Sequence, residues 1–276
     1  MIYALFVVYE NKLKGNSLFS FDNSKVTFVI FDNSTTKDCQ KFNKEFCQNK
    51  HIVYISFGCN KGLSFAYNYV IQNYLTETDY ILFLDDDTNI SQEYLSLISH
   101  RIQASSSLVF SPININIKTR QIDSPKKMFF HFLLKSTMVE PKDKEVGLFN
   151  SINNGTLVAK KAFDITGLFD PDIFVYFVDS YLYFNLFLHN IKTEIIDYKN
   201  QCDFSIQTKD SKKIKKRIQL MKTDGYVFYR KIYQKLGHPK RWRIHYHMFF
   251  LKKSIECARV SGFLHFFSYL SSRKIK

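Results

Sequence analysis

Residues 80–89 read Tyr-Ile-Leu-Phe-Leu-Asp-Asp-Asp-Thr-Asn: an apolar run of strand length ending in three consecutive carboxylates, Asp85, Asp86 and Asp87. A short unbroken apolar run bounded by polar residues suits a strand buried on both faces, and Thr88-Asn89 then open a loop and a helix. Open α/β sheets present their ligand sites at the carboxyl ends of their strands. Three adjacent carboxylates there repel one another unless a cation neutralises them, and hard divalent ions such as Mg2+ or Mn2+ take oxygen ligands. A solvated acidic turn is the plain alternative.

Outward from this run, strand-like and helix-like segments alternate. Residues 2–9, 25–31, 51–57 and 107–110 have strand character, and 37–48, 63–75 and 91–103 have helical composition. Such spacing means βαβ units, a largely parallel sheet and a Rossmann-like nucleotide-binding half over residues 1–115. Between residues 116 and 145 the pattern dissolves into charged residues around a short apolar island at 128–134, which reads as a long loop over a site.

Composition narrows the class. Of 276 residues 45% are hydrophobic, with 28 Phe and 17 Tyr against only 9 Gly and 5 Pro, enough apolar surface for a sizeable core and little room for disorder. The five cysteines (39, 47, 59, 202 and 257) form no C-x-x-C pair, and their odd number argues against a disulfide framework. The N-terminus reads as a first strand, without the basic start and small-residue cleavage site of a signal peptide. The richest apolar stretch, residues 173–188, is interrupted by Asp179, Ser180 and Asn185 and is short for a bilayer span. A reduced, cytoplasmic protein is expected.

The net charge of +14 is unevenly placed. Residues 209–276 carry 19 Lys and Arg against Asp210, Asp224 and Glu256, a net of +16, while the rest is near neutral at −2. The expected organisation is a catalytic domain over 1–208, with an acceptor-side half at 146–208, and a basic, aromatic-rich helical tail over 209–276. Phe249, Phe250, Leu251, Ile255, Val260, Phe263, Leu264, Phe266 and Phe267 recur at roughly helical spacing beside Lys252, Lys253 and Arg259. A basic amphipathic helix of this kind lies well on an anionic membrane surface. A tail packed on the domain is the competing expectation. Nucleic acid has no helix-turn-helix, zinc-finger or RNP-type pattern to support it.

The order of short motifs carries a resemblance. Val8-Tyr9-Glu10-Asn11, Asp32-Asn33-Ser34, Asn60-x-Gly62-x-x-x-Ala66-x-Asn68 and Asp85-Asp86-Asp87 precede Asn154-Gly155-Thr156, Gly167-Leu168-Phe169-Asp170 and then Asp179. This succession resembles family 2 glycosyltransferases of the GT-A fold, in the rhamnosyltransferase-like branch that builds bacterial surface polysaccharides, over roughly residues 1–205. The resemblance implies an inverting, metal-dependent transfer from a UDP- or dTDP-sugar to a saccharide or lipid-linked saccharide, at the inner face of the cell membrane. It places Tyr9 and Asp32 on the nucleotide, Asp85 on the ribose, Asp87 on an Mn2+ or Mg2+ ion and Asp86 beside either. It places Asn154 and Gly155 on the acceptor side. Where many relatives have a histidine ligand this chain has Cys202, with Asp203 beside it as the better ligand for a hard cation. Where many have a second acid two residues past the base, it has Tyr181.

Chemistry gives these positions content. Asp32 at a strand end can accept from a nucleobase imide or close an Asx turn. Asn60 and Gly62 make a tight turn into a helix whose amides and dipole can favour a diphosphate. Asp179, among Phe177, Val178, Tyr181 and Leu182, is expected as the general base, its apolar neighbours raising its pKa; a helix N-cap is the alternative role. Two other classes stay open at this level. One is a phosphohydrolase of the haloacid dehalogenase type, although Asn89 stands where its threonine belongs. The other is a non-catalytic adaptor that retains the fold.

Overall fold

A computed structural model describes residues 1–13, 17–20, 25–86, 88, 90–129, 132–138, 149–202 and 211–261. The strands β1 (Ile2–Val8), β2 (Val26–Asp32), β3 (Val53–Ser56) and β4 (Tyr80–Asp85) alternate with the helices α1 (Lys37–Asn49) and α2 (Leu63–Tyr74), and α3 (Gln92–Ala104) follows β4. Then come β5 (Val109–Asn116), β6 (Ile122–Ser124), β7 (Lys126–Phe129), β8 (Phe132–Met138), β9 (Phe149–Asn150) and β10 (Leu157–Ala159). The chain continues through α4 (Lys160–Thr166), α5 (Val178–Leu188), β11 (Thr193–Cys202), α6 (Ser211–Lys235) and α7 (Trp242–Ser261).

The main sheet has the order β11-β5-β10-β4-β1-β2-β3, with β6 paired to β5. β1 is parallel to β2 and β4, β2 to β3 and β5 to β11, whereas β10 runs antiparallel between β4 and β5. Parallel strands covered on both faces need continuous apolar runs, and their side chains alternate between two cores. On β4, Ile81 and Phe83 enter the core shared with α2, α4, α5 and α6, while Leu82 and Leu84 enter the core shared with α3. Each such fully buried side chain contributes roughly 1.5–3 kcal/mol. The register sets Val8 opposite Asp32 and Val7 opposite Asp85, so the ends of β1, β2 and β4 open on one edge.

Two expectations change. The stretch expected as a long loop carries an extended β5, the short β6 and a separate antiparallel sheet in the order β8-β7-β9. β7 and β8 pair as near neighbours in the chain, Lys126 opposite Met138, but residues 126–138 contain no Gly, Pro, Asn or Asp to signal a turn, so the pairing leaves no local cue. The expected boundary at residue 208 does not separate two cores. Phe228, Tyr229, Ile232 and Tyr233 of α6 join the same cluster as Leu5 and Phe83. The first part of the basic tail is therefore packed on the domain. Among the described residues no helix is long and apolar enough to cross a membrane.

Candidate active site

The three strand ends assemble the first group of side chains. Tyr9, just past β1, is 48% exposed. Asp85 is half-buried at the end of β4 and Asp86 is exposed, accepting a hydrogen bond from Asn11 Nδ2 at 3.1 Å. Glu10 takes up a left-handed backbone (φ 51°) and accepts from Thr35 N at 2.7 Å and Thr36 Oγ1 at 2.6 Å. The Thr35 and Thr36 hydroxyls and the Thr35 amide hold its carboxyl down at about 2, which keeps the β1 edge tied to the start of α1. Asp87 and Asp203 lie outside the described residues.

Asp32 is fully buried and does structural work. Its Oδ1 accepts from Ser34 N at 2.9 Å, and its Oδ2 accepts from Asn43 Nδ2 at 2.9 Å and the Tyr54 hydroxyl at 3.0 Å. The Asx-turn role is the one seen, and no accessible face is left for a nucleobase. Asn60 and Gly62 form the expected tight turn into α2. Asn60 Oδ1 accepts from Gly62 N at 2.9 Å, Asn33 Oδ1 from Lys61 N at 3.0 Å and the Phe174 carbonyl from Leu63 N at 2.7 Å. The amides of Lys61 and Gly62, just ahead of α2, and of Leu63, its first residue, are thus spent on protein acceptors. Gly62 (φ +83°) is required because a Cβ would stand 2.6 Å from Cδ2 of Phe174. The motif is a joint between α2 and the segment before α5.

Asn154 and Gly155 are buried behind the carboxylate loop. Asn154 Oδ1 accepts from Thr88 Oγ1 at 2.9 Å and from Asp85 N at 3.4 Å, holding the carboxylate loop from behind. Gly155 donates to the Phe83 carbonyl at 2.8 Å, and a Cβ there would meet Pro112 at 2.7 Å. Behind them, Cys202 donates its thiol to Asn114 Oδ1 at 3.3 Å and accepts from Asn154 Nδ2 at 3.5 Å and Asn200 Nδ2 at 3.3 Å. A buried, soft, amide-bonded thiol does not fit a hard cation, whereas the oxygens of Asp85 and Asp86 do. Among the described residues no group of three or more His, Cys, Asp or Glu is gathered for a metal.

The second group lies at the start of α5. Phe177 occupies the N-cap position in a left-handed backbone with no side-chain cap, so Asp179 falls inside the first turn and the N-cap role does not apply. Burial raises the Asp179 carboxyl to about 7, against the opposing pull of hydrogen bonds from the backbone N–H of Asn153 and from its own. Some of its surface remains accessible. Tyr67 of α2 connects the two groups. Burial pushes its hydroxyl well above the usual value, and the charges of both Asp85 and Asp179 push it further. Beside it, buried Asn153 leaves Nδ2 and Oδ1 without a hydrogen-bond partner among the described residues, although the Tyr67 hydroxyl lies close. A carboxylate that titrates near neutrality thus shares the neighbourhood of Tyr67 with one strand-end acid, Asp85. Such a place can take a proton from a hydroxyl and hold a polar, hydroxyl-rich ligand. Tyr67 and Asn153 escape a sequence reading: a tyrosine in an apolar helix looks like core, and Asn153 differs in no visible way from Asn154.

Comparison with known proteins agrees with this fold. The family model described as Glycosyl transferase family 2 matches residues 16–181. The dTDP-rhamnosyl transferase RfbF of Shigella flexneri is 24% identical over 181 residues, which cover 65% of this chain and 60% of that protein, so the chain matches less than two thirds of this relative's length. Residues 1–349 of S. aureus TarS, solved in complex with UDP-GlcNAc, align with 100% of this chain and 76% of theirs at 14% identity and a TM-score of 0.55. GalNAc-T7, solved with UDP, GalNAc and Mn2+, aligns with 96% of this chain and 55% of its own at 12% identity and a TM-score of 0.53. At these identities the solved structures speak for the fold, which is that of GT-A glycosyltransferases.

Proposed function

As the chain belongs to glycosyltransferase family 2, we propose that it carries out an inverting transfer of a sugar from a UDP- or dTDP-sugar to a hydroxyl of a saccharide or lipid-linked saccharide. The observation that carries this reading is Asp179, raised to about 7 and electrostatically linked through Tyr67 to Asp85. Family membership sets aside the phosphohydrolase alternative.

In the proposed reaction Asp179 takes the proton of the acceptor hydroxyl as that oxygen attacks the anomeric carbon. The bond from the anomeric carbon to the diphosphate breaks on the opposite face, and the nucleoside diphosphate leaves with the electron pair. Exposed Tyr9 offers a ring beside the nucleotide. A divalent cation held by Asp85, Asp86 and Asp87 would supply neutralisation of the charge on the departing diphosphate. Asp203 stays a proposed further ligand and Cys202 does not. Ile244, Leu251 and Ile255 of α7 are exposed on one stripe beside Arg243 and Lys252, which supports peripheral attachment to an anionic membrane from the cytoplasmic side.

The test is a thermal-shift and hydrolysis screen of UDP- and dTDP-sugars with and without Mn2+. A donor at about 100 times its dissociation constant stabilises the fold by about 2.7 kcal/mol. The expected result is stabilisation by one nucleotide class with slow hydrolysis of its sugar. Indifference to every nucleotide sugar would remove the transferase reading.

A further inference from the structure

Asp224 is an acid in a helix otherwise rich in cations, and it is fully buried. Its Oδ1 accepts from Phe174 N at 3.1 Å, and its Oδ2 accepts from Val175 N and Tyr176 N, each at 2.8 Å. Three successive backbone amides therefore converge on one side chain supplied by α6. The carbonyl of the same Phe174 is held by Leu63 N of α2, so the segment is pinned from both sides.

Immediately after it, Phe177 takes the left-handed conformation (φ 66°), unfavourable for a bulky residue. What retains it is the packing of the same tail: its ring stacks on Phe228 at 5.0 Å and meets Phe249 at 5.3 Å. Gly225 lets the ring approach, since a Cβ there would stand 3.1 Å from Cε2 of Phe177. Further along α6, Lys231 bridges Asp170 and Asp172 at 2.7 Å, and Lys235 donates to Asn185 Oδ1 at 2.7 Å and to the Tyr181 hydroxyl at 3.1 Å. Positions 224, 231 and 235 recur on one helical face. That face grips the turn before α5, the strained residue at its N-cap and its second turn.

We propose that Asp224 is the positioning residue for Asp179: by gathering the amides of residues 174–176 it fixes the left-handed turn at Phe177 and hence the direction in which α5 presents the base. The inference rests on Asp179 as the base, but not on which sugar is transferred. A misplacement of about 1 Å, set up far from the chemistry, can cost on the order of 10²-fold in rate. The strand ends, fixed by the sheet register, do not depend on this clamp.

The test uses the full-length variant Asp224→Asn, whose amide cannot accept from all three N–H groups. Hydrogen exchange should show lost protection in peptides covering residues 173–180 and parental protection in β1 and β4. Turnover of a hydrolysable UDP- or dTDP-sugar should fall about tenfold or more, with the donor KM within about twofold and the midpoint of the kcat–pH profile displaced. Protection lost uniformly, protection unchanged, or lost protection with parental turnover would each overturn the proposal. If Asp224→Asn does not fold, Lys231→Met, which frees only Asp170 and Asp172 at the outer end of the same grip, is read by the same criteria at smaller amplitude. Should the parent turn over no nucleotide sugar, the transferase reading fails, while the exchange pattern still judges the clamp.

Discussion

The two ends of the candidate site are built in different ways. At the proposed donor end, Tyr9, Asp85 and Asp86 emerge from neighbouring strands whose register sets their spacing. At the base end, Asp179 sits at the head of a helix whose approach is fixed by contacts from α2 and α6, with Leu63 and Asp224 reaching residues far away in the chain. The first end is rigid because a sheet edge has few alternatives. The second is assembled, and its geometry is only as good as the contacts that brace it. The donor end exposes Tyr9 and Asp86, whereas half-buried Asp179 sits among buried Val178, Tyr181 and Leu182, and that desolvation is why the perturbed acid is found there.

Substitutions can break this contrast, beginning with the largest effect. Asp179→Asn keeps the shape of the base end but removes proton acceptance, and transfer should fall about 10²–10⁴-fold. Thermal shifts with the donor nucleotide should stay parental, because the strand ends are untouched. A variant that retains near-parental transfer would return Asp179 to a structural role.

Gly62→Ala strikes the joint between the two ends. Its Cβ would meet Phe174 at 2.6 Å in a backbone with φ of +83°, and left-handed strain alone costs about 1–3 kcal/mol. Urea unfolding should register at least that loss, and turnover should drop more than nucleotide binding. Equal loss of both would mean that the ends are not mechanically distinct.

The pH dependence sharpens the contrast further. With Asp179 raised from 3.8 to about 7, the base is ionised only above neutrality, so kcat should rise with pH and level off above about 7. The linkage has the opposite direction. The folded state binds the proton more tightly than the unfolded chain, so this residue's contribution to stability falls as pH rises from about 4 to about 7, by at most about 1.4 kcal/mol per pH unit. Chemical denaturation of the parent and of Asp179→Asn across that window should differ by this slope, and parallel curves would place the titration elsewhere.

The smallest effect concerns α7. Replacing Arg243 and Lys252 by Gln should weaken adhesion to anionic vesicles by about 1 kcal/mol per residue at low salt, and the difference should fade as salt shortens the Debye length. Nucleotide binding and base-end exchange should not respond. A parent that ignores such vesicles at low salt would leave α7 as packing alone.

Much of the architecture was legible beforehand. The unbroken apolar runs at Ile2–Val8 and Tyr80–Asp85, and the helical stretches between the strands, reappear in the structure within a few residues. The small sheet of β7, β8 and β9 was not, because residues 126–138 carry no turn residue between the paired strands and β9 joins from further along the chain. Site roles divided along the same line. Placing acids at the end of a strand, and one acid among apolar residues ahead of a helix, needs only neighbours in the chain. Whether a polar group is free to serve a ligand depends on how its hydrogen bonds are spent. Asp32, Asn154 and Gly155 spend theirs on partners brought in by the fold. Asp224 counted as one of three acids in a basic tail until α6 proved to lie against residues 174–176.

By itself, then, the sequence determined the strands, their alternation with helices and the location of the acids, since side-chain period and apolar run length are properties of adjacent residues. Only the tertiary structure decided which of the polar residues are struts, that Tyr67 and Asn153 lie beside Asp179, and that α6 holds residues 174–176 ahead of it. Those outcomes depend on contacts between residues remote in sequence, where burial and the sharing of hydrogen bonds, rather than any local pattern, determine what each group can do.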